Sequence, residues 1–196
     1  MPPTTSPPPA QASALERRFQ LEPGESATVV RLLGEALAGF GPQGHRLAAA
    51  LGADTSPAAA LGFSRGALEA LYARATQWFA VGRRERAEPL FRLLCLLDGG
   101  DADMWVAHGV CLHIADRIEA AELAFRTAAA LRPTWAVPSF HLAAIALRTG
   151  DGAEARRLSA LFAVQAEADP LVPLSMRREA ERLAIAVTHR ERQAAP

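Results

Sequence analysis

The chain has 196 residues, half of them apolar, with basic and acidic residues balanced at 21 each. That length suits one domain with a real core, or two only if both are small. Zero net charge excludes the basic excess that a nucleic-acid partner demands. No run approaches the ~18 consecutive apolar residues of a membrane span.

Ala and Leu dominate, which is the usage of an all-α protein. Residues 1–12 are rich in Pro and Thr without periodicity and read as a disordered tail. They carry neither a basic n-region nor an apolar h-region, so a soluble cytosolic protein is expected. Residues 13–66 form a helical N-terminal region. Within it, Val29, Val30, Leu33, Ala36, Leu37 and Phe40 lie at amphipathic spacing over 25–40. Gly39, Gly41, Pro42 and Gly44 should break that helix, and a short helix over 45–51 should close at Gly52. Asp54 to Pro57 reads as a linker, and Ser64 as the N-cap of the next helix.

From Leu68 a fixed period appears. Gly82, Asp116 and Gly150 recur every 34 residues, each where a helix pair would turn. Ala87, Ala121 and Ala155 keep the same spacing, as do Ala75, Gly109 and Ala143, and then Trp78, Leu112 and Ala146. Phe91 and Phe125 match, and Ser159 breaks their column. A 34-residue helix–turn–helix period is the signature of the tetratricopeptide repeat (TPR). Small residues at 75, 109, 143, 87, 121 and 155 let paired helices approach, and larger ones at 78, 91, 112 and 125 fill the space between units. Three units are therefore expected over 67–170, with helix pairs near 68–81 and 84–97, 102–115 and 118–131, 136–148 and 151–167. Residues 171–192, beyond Pro170 and largely beyond Pro173, supply a capping helix whose charged outer face suits the end of a solenoid.

The first helix of each unit lines the concave side of a TPR stack. The groove positions are then Tyr72, Thr76 and Phe79, next Val106, Val110 and His113, and last Phe140, Ala144 and Leu147. This lining is apolar and lacks the Asn and Lys runs or carboxylate clamps that hold a charged peptide end. It suits an extended peptide whose apolar side chains enter pockets. The alternative is that some of these side chains pack beneath the N-terminal region or inside a dimer.

Cys95 and Cys111 lie in apolar helical runs and read as buried free thiols. His108, Cys111 and His113 are close in sequence, but His113 points away from the other two and no paired metal motif supports a site. No phosphate loop, nucleophile elbow or acid–base pair is present, so neither catalysis nor a cofactor is expected. The Arg clusters at 83–86 and 177–178 read as solvated helix surface.

Several runs resemble the class II type III secretion chaperones, the translocator chaperones of the low-calcium-response H type. They are Leu68 to Phe79 with Gly82, and Ala87 to Asp98 with its Leu94-Cys95-Leu96-Leu97-Asp98 segment. The likeness continues through Trp105 to Cys111, Ala120 to Phe125 and Pro138 to Ala143, and covers roughly 68–170. The resemblance implies a bacterial cytoplasmic chaperone, working without ATP, that keeps hydrophobic translocator proteins export-competent during virulence-associated secretion. An extended segment near the translocator N-terminus would lie in the groove, with Tyr72, Thr76 and Phe79 on contacts of the first repeat. Thr76 stands where some members carry a larger residue. The resemblance further implies a homodimer formed through the N-terminal region, here longer and richer in Pro than is typical, and in some members a partnership with an AraC-type regulator. The second reading is a TPR adaptor or scaffold joining folded partners, with a transcriptional co-regulatory role.

Overall fold

The computed structural model describes residue 22, residues 25–52 and residues 56–194, and every regular element among them is helical. The expected N-terminal tail lies outside the described residues. The chain divides into two compact units at Ala67/Leu68.

In the first unit, α1 (Glu25–Leu37) runs into a 3₁₀ turn (Ala38–Phe40) and then α2 (Gly41–Gly52). The expected break is narrower than the glycines and Pro42 suggested. Gly41, at φ 61°, makes the turn alone, and Pro42 and Gly44 already belong to α2. Proline is at home in a first helical turn, where its missing N–H costs nothing. Gly44 has a packing role, since a Cβ there would run into the Leu37 carbonyl oxygen. Of the expected linker, residues 53–55 lie outside the described residues. Ser56 instead caps a one-turn helix, α3 (Pro57–Ala60), by accepting a hydrogen bond from the Ala59 N–H. Ser64 performs the expected capping role, accepting from the Ala67 N–H at 3.2 Å.

The helix α4 (Arg65–Ala80) leads into the second unit, which continues with α5 (Arg84–Leu97), α6 (Ala102–Ile114) and α7 (Ile118–Leu131). The third pair is α8 (Ala136–Thr149) and α9 (Gly152–Ala168), and α10 (Leu174–Ala194) follows. These are the three expected TPR pairs and the cap, with ends shifted by a few residues at most.

The 34-residue period has a direct physical cause in the turns. Gly82, Asp116 and Gly150 all adopt left-handed backbone, at φ 78°, 58° and 90°. The next residue's N–H then reaches back to the helical carbonyl five residues earlier, Arg83 to Trp78, Arg117 to Leu112 and Asp151 to Ala146, at 2.8–2.9 Å. Each unit thus closes its first helix with the same Schellman motif. The small-residue columns are packing requirements, with Ala75, Ala87, Ala121 and Ala155 fully buried. Gly109 faces the Phe125 ring so closely that a Cβ would come within 2.8 Å of it.

The interior of the second unit joins its repeats. A central cluster around Leu112, Phe125, Leu142, Ile145 and Leu158 draws in Val187 from the cap. Phe125 stacks on His141 of the following unit, rings 4.6 Å apart and nearly parallel. The third unit, lacking an aromatic at Ser159, uses Phe162 one turn later. Phe162 packs with Ala136, Ala166 and Val172, and meets Phe140 at 5.8 Å. The Ser159 hydroxyl donates to the Ala155 carbonyl. Cys95 and Cys111 are buried free thiols, their pKa values pushed up by burial to about 12 and about 11.

Candidate functional site

Two neighbouring first helices, with one side chain from the helix between them and one from the turn before α8, build an apolar cavity of about 260 Å³ in the second unit. Tyr72, Thr76 and Phe79 recur at helical spacing along one face of α4, and Val106 and Val110 do the same on α6. All five line this cavity. Phe91 closes the floor from α5, its ring edge-on to Tyr72 at 5.7 Å. Burial raises the Tyr72 pKa, helped by the nearby charges of Asp103 and Asp101, so the phenol remains neutral. Its ring offers an apolar body with one polar tip.

Asp103, Ala107 and Trp135 complete the wall. The groove is therefore not wholly apolar, because one carboxylate sits at its edge. That carboxylate is already engaged, with Arg132 Nη2 donating to Asp103 Oδ2 at 2.7 Å. The same guanidinium lies over the Trp135 ring, 4.4 Å from its centre. Asp103 was legible in principle, since it lies one turn before Val106 on the same helix face. Trp135 was not: it precedes α8, and only the inter-repeat turn carries it over the groove.

The other four candidate residues lie outside this cavity. Phe140 turns into the third-unit cluster, against Phe162 and with Met176 and Ala180 of α10. Leu147 packs on the central cluster and its carbonyl accepts from Arg190 of α10. Ala144 is half-buried. His113 is half-buried too, its pKa lowered by burial and by the Arg148 charge. Part of the expected groove at the third repeat is thus packing surface for the C-terminal cap, a partner different from the N-terminal region or second copy of the alternative reading.

His108 and Cys111 are both buried, and among the described residues no group of three His, Cys, Asp or Glu side chains gathers to hold a metal. His108 instead pairs through Nε2 with Glu88 Oε1 at 3.1 Å, beside Arg117 at 3.7 Å. No helix among the described residues is long and apolar enough to cross a membrane.

Neither a family model nor a curated protein sequence matches the chain. Solved structures do. The chaperone PcrH in complex with the chaperone-binding region of PopD is 28% identical, with a TM-score of 0.62 over 66% of this chain and 97% of that one. PcrH from Pseudomonas aeruginosa on its own is 28% identical, with a TM-score of 0.61 over 65% of this chain and 96% of that one. The type III secretion translocator chaperone SycD of Yersinia enterocolitica shares the fold, at 24% identity and a TM-score of 0.62 over 66% of this chain and 89% of that one. In fold, and at 28% identity in sequence to PcrH, this chain is similar to the class II type III secretion chaperones.

Proposed function

We propose that the chain is a type III secretion chaperone that binds hydrophobic translocator proteins through its concave TPR groove and keeps them soluble until export. The observation that carries this reading is the apolar cavity joining Tyr72, Thr76, Phe79, Val106 and Val110, in a chain similar to a chaperone solved with the chaperone-binding region of PopD. A translocator's apolar segment exposes surface that drives aggregation. Covering it gains roughly 25 cal/mol per Å² of apolar area removed from water. No bond is made or broken, so the protein acts by binding and not as an enzyme.

Within this reading the client's segment is extended. Its alternate side chains drop toward Tyr72 and Phe79 and toward Val106 and Val110, while Phe140, Ala144, Leu147 and His113 serve the far end of the groove and its junction with the cap. The chain works in the bacterial cytoplasm and pairs with a second copy through its N-terminal unit. In support, that unit carries an apolar cavity of about 180 Å³ lined by Leu37, Phe40 and Leu47, with Phe40 71% exposed. A partnership with an AraC-type regulator, which the resemblance implies for some members, is part of the same reading.

Co-expression with a translocator, followed by co-purification, tests the reading. Wild type should hold the client in the soluble fraction, and Tyr72→Ala/Phe79→Ala should lose it while keeping its helical circular dichroism. A folded double variant that retains the client as well as wild type would show the groove assignment to be wrong. The scaffold reading would gain if the chain ignored every extended segment and captured a folded partner.

A further inference from the structure

The carboxylate of the groove wall has a local reason to be where it is. Asp103 stands in the first turn of α6, where the helix dipole favours a negative charge. The same placement sets that charge in the wall of an apolar cavity, which Val106, Val110 and Phe79 also line. Its field reaches inward, since Asp103 is second only to burial in raising the Tyr72 pKa, ahead of Asp101. Left uncompensated, the charge would oppose an apolar client, because filling the groove strips water from the carboxylate and returns nothing.

Arg132, the C-cap of α7, cancels that charge. Its Nη2 donates to Asp103 Oδ2 at 2.7 Å, and its guanidinium lies 4.4 Å from the centre of the Trp135 ring, which also walls the groove. A planar, delocalised guanidinium suits a carboxylate and an indole face at once, which an ammonium does less well. The pair belongs to this groove and not to the repeat. Asp98 stands 34 residues before Arg132, and Val137 stands 34 residues after Asp103. As a strut the pair has little to offer, because its side chains are 45% and 47% exposed and exposed pairs stabilise weakly. Asp101, the other acid near Tyr72, is occupied locally, accepting from the Asp103 N–H as the cap of α6.

We propose that Arg132 determines the specificity of the groove: by neutralising Asp103 and holding Trp135, it makes this wall accept an uncharged client side chain and refuse a basic one. Arg132 acts through Asp103 and Trp135, so it is a positioning residue. A client Lys at this wall would lose its hydration and find the carboxylate already taken. Without Arg132 the same wall presents a bare carboxylate, and the preference turns toward a basic side chain. The proposal rests on the groove reading.

The test uses the full chain and the chaperone-binding region of PopD, as the native peptide and as a set in which each apolar residue in turn becomes Lys. Every Lys peptide should bind wild type more weakly than the native one. Arg132→Gln should weaken the native peptide about fivefold and bind one of the Lys peptides at least as well as the native one. Arg132→Lys keeps a cation opposite Asp103 and should keep the wild-type order. Arg132→Gln/Asp103→Asn loses the charge together with its partner, and should return to the wild-type order. A role confined to holding Trp135 would leave the double variant as weak as Arg132→Gln, and that result would overturn the proposal. So would an Arg132→Gln that ranks the peptides as wild type does. Tyr72 is the sole tyrosine of the chain, so its titration can be followed in the free protein by ultraviolet absorption. Arg132→Gln should move it to higher pH and Asp103→Asn to lower pH, and no movement in either would mean that the Asp103 charge does not reach the groove. Failure of the native peptide to bind wild type, or its equal binding to Tyr72→Ala/Phe79→Ala, would instead overturn the groove reading, and the proposal with it.

Discussion

His141 shows how one half-buried side chain ties pH to the fold. Its ring stacks on Phe125, and burial, assisted by the nearby His113, lowers its pKa to about 4. An unfolded histidine titrates near 6.5. Above that value both states are neutral and the fold has its full stability. As pH falls from about 6.5 toward about 4 the unfolded chain takes up a proton that the folded chain refuses, so stability is lost across this window, by roughly 3 kcal/mol in all. His108, also lowered by burial, adds in the same direction. Denaturant unfolding at pH 7.5 and at 4.5 should therefore differ by a few kcal/mol, and His141→Phe, which preserves the stacking, should flatten the profile. An unchanged slope in that variant would place the titration elsewhere. Gly109 is the other telling residue. Alanine there gains about 1 kcal/mol of helix propensity but drives a methyl into the Phe125 ring, and overpacking costs about 1–3 kcal/mol. The ring is fully buried and cannot swing aside, so Gly109→Ala should lower the urea midpoint. A midpoint equal to or above wild type would contradict this.

Among the elements, the first-helix turns carry the clearest expectation. At Gly150 a Cβ would meet nothing within 4 Å, so the only penalty of alanine is its left-handed backbone at φ 90°. That should cost about 1–2 kcal/mol. Asp116 occupies the equivalent place at φ 58° and is tied to Arg148 at 2.7 Å. Asp116→Gly relieves strain but loses an exposed pair worth about 0–1 kcal/mol, so it should be close to neutral. Thermal melts of the two variants should separate, with Gly150→Ala the less stable. The helix bounds of the repeats, the N-cap at Ser64 and the turn residues were legible in the sequence because each depends on residues a few positions apart. The one-turn helix at Pro57–Ala60 was not, since four residues are too few to display a period. Nor was the relocation of the third unit's aromatic to Phe162, which only the company of Phe140 and Val172 makes visible.

Across the whole molecule, α10 closes the stack of repeats. Val187 is buried in the central cluster with Leu183 against it, and Met176 and Ala180 cover the third-unit cluster. Removing the chain from Leu174 onward would expose both clusters. At about 1.5–3 kcal/mol for each large apolar side chain returned to water, the loss should reach about 3–6 kcal/mol. The truncated protein should unfold at much lower urea or aggregate, and a truncated form as stable as wild type would mean that the third repeat caps itself. The same docking explains why the groove does not run evenly over three units. Phe140 and Leu147 face partners within the chain, and the open apolar cavity lies between the first and second repeats, where no cap reaches. The sequence by itself determined the helical repeat, its 34-residue register and the face that each first helix offers, because left-handed turns, small close-approach residues and helical spacing are all local properties of the chain. Only the tertiary structure decided which of those faces remain open and that Trp135 joins the groove wall. Each of those depends on which distant residues meet, and packing between repeats, with no period in the sequence, sets that.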